Sequence, residues 1–479
     1  MFRNSLPRFE ILSPDAVATI DAGWRRLVSE IGIQFLDPRA LDAFRSAGQR
    51  VEGDVVHLDP ALIDELLALA PASFTLHARN PAHDVPIGGD SMAFAPVQGA
   101  PFVRRGAERR EALFSDFEAF CRLSQLLDDI DTAGGLPCEP SDLPIDSRHL
   151  DMELALATLT DKPFQGSQIS EGAARDSLEM AALLLGPDAL AERPYLYTVI
   201  NANSPLRYDD RMIGSLIPYA EAGQVVVVTP FLLMGAMAPT SIPAALVQQL
   251  AEVFAGIALV QLLRPGCPVV MGSFLSHTDM QNGSPGFGGP ESAIGLLCSG
   301  QLARHYRLPW RSGGGALTSS PVADAQAAYE GMNTMLPAFL AGANLVLHTA
   351  GWLEGGLVAS YEKFMIDIEI VRVLQEEFTP LEVDEASLAF GAHDEVRHGG
   401  HFLGAAHTLE RFRDCFYRPL VSTTSNFERW TREGGLDAAD RALAIADQQL
   451  AAYVPPQLDA SVAQALREYV VRRRAELGD

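Results

Sequence analysis

The chain has 479 residues, nearly half of them apolar, enough to bury one large core with accessory elements or two domains without disulfide staples. Its formal net charge of −25 opposes binding to nucleic-acid phosphates or to an anionic membrane surface. The five cysteines form no C-x-x-C pair, the N-terminus lacks an apolar signal core, and no uninterrupted apolar run reaches membrane-spanning length, so a cytoplasmic protein without a structural metal is expected.

Residues 1–110 read as an α+β entry region. Ser13-Pro14-Asp15 opens a helix through Ile20, Trp24 and Ile31, and Asp37-Pro38 opens a second. A hairpin turns at Gly53-Asp54, a third helix spans 60–69, and extended segments lie near 74–77 and 92–97.

From Phe114 the pattern becomes periodic. Strand-like segments at 132–137, 164–169, 196–201, 225–231, 268–274, 309–313 and 344–348 alternate with helical patterns. The alternation implies a parallel sheet. A doubly wound sheet lacks support because no strand is followed by G-x-G-x-x-G, whereas the span 111–380 suits a (β/α)8 TIM barrel of ~250 residues. Seven strands are legible and the eighth is not. The last of these helices has Ser320 and Pro321 as its expected start and Gly342 as its stop. Residues 381–479 form a C-terminal helical extension: an amphipathic pattern over 381–390, a histidine-rich loop, and helices over 438–453 and 461–476.

A barrel carries its chemistry where the strands end. Those positions hold Glu139, Gln168, Asn201 with Asn203, Thr229 with Phe231, Ser273 with Phe274 and His277, Arg311 with Ser312, and His348 with Trp352. No close pair of acids and no G-x-S-x-G elbow is evident, which disfavours glycoside hydrolysis and serine chemistry. Arg311 and His348 come from consecutive units and could share a carboxylate, the arginine as a two-pronged donor. Trp352, Phe231, Phe274 and Tyr361 could wall a quaternary ammonium by cation–π attraction. The cluster His393, His398, His401 and His407 matches no metal-binding spacing, and a glycine pair interrupts it.

Two stretches carry a family likeness. Gly399-Gly400-His401-Phe402-Leu403-Gly404 with His407-Thr408, and Gly351-Trp352-Leu353-Glu354-Gly355-Gly356, resemble signatures of the trimethylamine methyltransferase family of corrinoid-dependent methyltransferases, and the likeness extends over the whole chain. The resemblance implies a barrel that demethylates an amine and passes the methyl group to the cobalt of a corrinoid protein. Trimethylamine-specific members carry pyrrolysine in the Leu-Glu-x-Gly turn, where this chain has Gly355 within a register of one residue. That departure implies the non-pyrrolysine branch, similar to glycine betaine methyltransferases. The expected reaction is demethylation of glycine betaine to dimethylglycine with transfer to corrinoid Co(I). Direct transfer to tetrahydrofolate, or a non-catalytic betaine-binding module, are the alternatives. No tightly bound cofactor and no acid–base catalyst is implied. Arg311 and His348 would hold the carboxylate, Trp352, Phe231 and Phe274 the ammonium, with Gln168, Asn201 and His277 as further contacts and Gly355 in the turn. The expected partners are the quaternary amine, a corrinoid protein and further copies of the chain.

Overall fold

The computed structural model describes residues 1–478. Three helices near the N-terminus start where a polar cap precedes proline: Ser13 accepts from Ala16 N, Asp37 from Arg39 N and Asp59 from Ala61 N, ahead of Pro14–Arg26, Pro38–Ser46 and Pro60–Leu67. The hairpin at Gly53 pairs Arg50–Glu52 with Val55–His57.

A curled, open, eight-stranded sheet with helices on its outer face follows, and runs of β-branched residues supply its strands Leu196–Asn201, Val225–Thr229 and Val269–Gly272. Ser91–Phe94, Leu345–Val346, Trp310–Ser312, Val269–Gly272, Val225–Thr229, Leu196–Asn201 and Phe164–Gln165 follow one another in parallel. The strand missing from the periodic pattern is Ser91–Phe94, which comes from the entry region, far upstream of the helical tail. The eighth member is Phe2–Arg3, antiparallel to Ser91–Met92. Residues 132–137, expected as a strand, join no ladder: glycines at 134 and 135 and prolines at 137 and 140 interrupt them. The named strands therefore leave the sheet open between Phe164–Gln165 and its other edge.

Alternation along each strand separates two cores. Val226, Val228, Met271 and Val346 face outward and pack under the helices. Ala93, Tyr197, Val199, Val225, Val227, Val270 and Leu345 face inward and are closed from below by Leu76, Val85 and Ile87 of the hairpin Ser73–Leu76/Val85–Gly88. One helix, Ile242–Leu263, is long and apolar enough to cross a membrane. In the fold it is mostly buried, and Gln248, Gln249, Glu252 and Gln261 on it make internal hydrogen bonds.

Two local expectations are corrected. The helix before Gly342 is Ala325–Ala341, capped by Asp324 rather than Ser320, because the Asp324 carboxylate accepts from Ala327 N while Ser320 bonds into the preceding turn. Residues 381–389 form no helix, since their apolar side chains have no face to pack on, and the first helix of the tail is Phe390–Val396. At the end of Ala460–Leu477, Arg473 donates to Asp176 at 2.8 Å and Arg474 pairs with Asp151 at 2.5 Å, fastening the last helix to two helices of the body.

Candidate functional site

At the C-terminal ends of the parallel strands lies a cavity of about 300 Å³, within the range of small-molecule sites. Gln168, Asn201, Phe231, Phe274, Arg311, His348 and Trp352 all line it, together with Glu139 and Gln98.

Strand periodicity explains who faces the lumen. Asn201, Thr229 and Arg311 continue the inward rows begun by Val199, Val227 and the neighbouring Val270. Gly272 gives this row space, because a Cβ there would stand 2.3 Å from Thr229 Cβ. His348 follows inward Leu347 and would point outward in a regular strand. Its backbone instead adopts φ +58°, and it still lines the cavity. That conformation costs on the order of 1–3 kcal/mol, offset by His348 N donating to Pro96 O at 3.2 Å and its carbonyl accepting from Ala316 N at 3.0 Å.

Arg311 is 3 % exposed. Its Nη1 donates to Ser273 O at 3.2 Å and approaches Thr229 Oγ1 at 3.5 Å, and its Nη2 lies 3.4 Å from His348 Nε2. Among the described residues no carboxylate pairs with it, and Arg311 Nε and His348 Nδ1 have no hydrogen-bond partner. Burial pushes the guanidinium down to about 9, still cationic at neutral pH. Burial and then the adjoining guanidinium hold the His348 imidazolium well below its usual range, so the ring is neutral. A buried cation without an anion is costly and calls for one.

Beside this pair stand aromatic rings. Phe231 stacks on Phe274 at 4.5 Å, and Trp352 meets His348 edge-on at 4.5 Å with its Nε1 donating to Thr318 O. Phe287 joins them, 5.5 Å from Trp352 and 5.7 Å from Phe274. It sits in Gly-Ser-Pro-Gly-Phe-Gly-Gly, a turn whose glycines gave no strand-end signal. Gly355 lies behind this ring: at φ +65°, a Cβ there would be 3.0 Å from Phe287 Cε2. Replacing Gly355 with valine should therefore displace Phe287 and the Trp352 turn, seen as a changed tryptophan fluorescence and weaker ligand binding.

Other candidates stand apart. His277 does not line the cavity; it lies on Leu275–Thr278 with Nδ1 3.4 Å from Glu291. Tyr361 donates to Asp116 and stacks on Phe120 in the outer core, and it does not line this cavity. Asn203 is engaged by Asp209, and Ser312 bonds Gly314 in its own turn. Glu139 on the rim pairs with Arg148 at 2.8 Å. Gln168 accepts from Gln165 Nε2 at 2.8 Å. His393 packs edge-on against Phe402, and among the described residues no group of three acid, histidine or cysteine side chains is placed to hold a metal.

Two devices that fix the site gave no motif. Lys363 and Asp367, both fully buried, form an ion pair inside helix Tyr361–Glu377. Asp367 accepts from Gly351 N at 2.8 Å and Lys363 donates to Ala316 O at 3.2 Å, so the pair ties the Trp352 turn to the loop that bonds His348. On the outside, Arg109 grips Glu354 with two nitrogens at 2.9–3.0 Å.

The chain is 42 % identical over 476 residues to a glycine betaine methyltransferase of Desulfitobacterium hafniense, covering 99 % of both chains. It is 28 % identical to a trimethylamine methyltransferase of another strain of that species (97 % and 94 % covered) and 27 % identical to a proline betaine:corrinoid methyltransferase of Eubacterium limosum (93 % and 94 %). The fold is similar to that of the Methanosarcina barkeri monomethylamine methyltransferase, with a TM-score of 0.53 at 11 % identity over 93 % of this chain and 89 % of that one. A family model for trimethylamine methyltransferase (MTTB) matches residues 1–478, and the chain, a methyltransferase, belongs to that family.

Proposed function

We propose that the protein demethylates a small quaternary amine bearing a carboxylate, glycine betaine first, and yields dimethylglycine with the methyl group passing to a corrinoid carried by a partner protein. The observation that carries this reading is buried Arg311, without a carboxylate of its own, next to aromatic rings in one cavity. Arg311 and neutral His348 would receive the substrate carboxylate by charge-assisted hydrogen bonds, while the rings of Trp352 and Phe231 face the ammonium. The likeness to a glycine betaine methyltransferase supports the same substrate.

A quaternary nitrogen already carries the charge that lets a neutral tertiary amine leave. The chain needs no acid to protonate the leaving group. Its residues bind both poles, hold one N-methyl carbon toward the mouth and exclude water around it. A corrinoid, when bound, supplies a cobalt(I) nucleophile for that carbon. Access for so large a group is consistent with the rim, where the loops after successive strands expose Ile145, Ile169, Met280, Val322 and Leu357. Incubation with glycine betaine and either reduced corrinoid or tetrahydrofolate tests the reading; tetrahydrofolate as the sole working acceptor would reassign the methyl group's destination.

We infer too that the sheet closes as a (β/α)8 barrel, with residues 131–134 between Ser91–Phe94 and Phe164–Gln165. Backbone hydrogen bonds support this: Asp131 N to Phe94 O, Ala133 N to Pro163 O and Gln165 N to Gly134 O, each 2.9 Å. The division into an entry region (1–110), a barrel (111–380) and a helical extension (381–479) then holds with Ser91–Phe94 lent to the barrel.

A pH prediction follows from Arg311. A bound carboxylate favours its charged form, so the complex keeps a proton that the free protein begins to lose near pH 9. Betaine affinity should be level between pH 6 and 8, where Arg311 is charged and His348 neutral, and then fall as pH rises through about 9. Isothermal titration across pH 6–10 measures it.

A further inference from the structure

The substrate cavity has an annex. A smaller space of about 50 Å³ adjoins it across Leu136, Glu139 and Gln168, which line both. Its inner wall is polar and deeply buried: Glu153 and His149 come from helix Arg148–Leu159 and Gln165 from strand Phe164–Gln165, none more than 4 % exposed. Each keeps hydrogen-bonding capacity for this space. Glu153 Oε1 accepts from Ser177 Oγ at 2.8 Å, and among the described residues no cation pairs with the carboxylate. His149 turns Nε2 to the Asp176 carboxylate at 2.9 Å, which leaves Nδ1 without a partner. Gln165 Nε2 donates to Gln168 at 2.8 Å, and Gln165 Oε1 has no partner. Buried polar atoms of this kind are met by water where there is room, and a space of about 50 Å³ exceeds the ~10–15 Å³ that one water needs.

The acid of the annex is poised to exchange a proton. Burial pushes the Glu153 carboxyl up to about 7 against the hydrogen bond from Ser177, and the nearby Asp176 carboxylate adds to the rise. The charges around it are engaged elsewhere. Asp176 also accepts from Tyr469 and Arg473 of the last helix, and Glu139 holds Arg148. On helix Phe114–Leu126, packed alongside, Asp116 holds Arg110 and Glu118 holds Arg122. Tyr219, from helix Asp210–Glu221, donates to Ser167 O, and burial keeps its hydroxyl un-ionised.

Methyl transfer itself needs no proton, but its product takes one. The departing nitrogen is a neutral tertiary amine whose lone pair can take the methyl group back, and in water at neutral pH it is an ammonium. We propose that Glu153, through water in the annex, gives its proton to that nitrogen. The acid's O–H bond breaks, an N–H bond forms, a carboxylate remains, and solvent restores its proton as the product leaves. With the lone pair occupied, the transfer cannot reverse. This inference rests on the substrate reading given above.

Isothermal titration of the full chain with dimethylglycine and with glycine betaine, from pH 6 to 8, tests the step in reverse, because bound dimethylglycinium should donate to ionised Glu153. The ionised fraction of a group titrating at about 7 rises from about a tenth at pH 6 to about nine-tenths at pH 8, so dimethylglycine affinity should rise ~tenfold. Glycine betaine has no N–H and should stay level. Glu153→Gln should abolish the rise, and Ser177→Ala, which removes a hydrogen bond that favours the carboxylate, should move it to higher pH. A rise that survives in Glu153→Gln overturns the proposal and assigns the proton to another group, His149 first. If Glu153→Gln fails to fold, Ser177→Ala decides alone, and a profile that coincides with the parent's overturns the proposal. Binding of both ligands with a level dimethylglycine profile defeats this inference and leaves the substrate reading standing. If neither ligand binds, the substrate reading falls and this inference falls with it.

Discussion

Replacing Arg311 with methionine should weaken glycine betaine binding by ~10- to 100-fold, since a hydrogen bond to a charged group contributes ~1.5–3 kcal/mol and 1.4 kcal/mol is a factor of ten. Methionine fills most of the volume, so the loss reports the charge and not a void. Choline has the same ammonium and no carboxylate. Its affinity should not fall in Arg311→Met, because a buried cation without an anion opposes a second cation nearby. His348→Ala should show the same selective loss, with betaine affected and choline spared, as Nε2 stands 3.4 Å from Arg311 Nη2. Titration of both variants with both ligands separates this from general damage to the cavity. Equal losses for betaine and choline would mean that the carboxylate is not held here, and Gln168 and Asn201 would be the next anchors to test.

Removing one partner of the buried pair, by Lys363→Met or Asp367→Leu, should cost ~3–5 kcal/mol of stability, because the remaining charge has no water and no counter-ion. Burial already pushes the Asp367 carboxyl up, and the Lys363 ammonium is what opposes that. Loss of Asp367 also frees Gly351 N, and loss of Lys363 frees Ala316 O. The cavity should suffer with the fold: Trp352 and His348 are placed by those two segments. Denaturant unfolding measures the first effect, and betaine titration well below the unfolding midpoint measures the second. The double variant Lys363→Met/Asp367→Leu should recover much of the stability, since no charge is left unpaired, but it should not restore Gly351 N to a partner. Stability that stays at the parent level in both single variants would show that the pair is not the buried clamp described here.

Much of the site was legible because strand ends announce themselves: an apolar run that stops on a polar residue put Gln168, Asn201, Arg311 and His348 at one end of the sheet, and all four line one cavity. The spacing that identified the strands also explained their inward rows. What sequence could not convey was contact across long separations. Phe287 sits in a glycine-rich turn that looks like a linker, yet it meets Trp352, Phe274 and Phe231. Lys363 and Asp367 look like any solvated pair one helical turn apart, and only the burial of both helix faces makes them a clamp. Ser91–Phe94 lies in a segment expected to be extended, but its place in the parallel sheet was hidden because its partner Leu345–Val346 lies some 250 residues away. Tyr361 failed as a ring of the cavity because, as the first residue of its helix, it turns toward Asp116 and Phe120.

The most direct test of the central claim is product formation. The protein is incubated with N-methyl-labelled glycine betaine and a cob(I)alamin-bearing corrinoid protein under reducing conditions, and dimethylglycine is followed by mass spectrometry alongside the absorbance of methylated cobalt. Dimethylglycine and methylcobalt should appear together in equal amounts, and both should fall sharply with Arg311→Met. Tight betaine binding that yields no dimethylglycine with this acceptor or with tetrahydrofolate would contradict the assignment and leave a cavity that only binds.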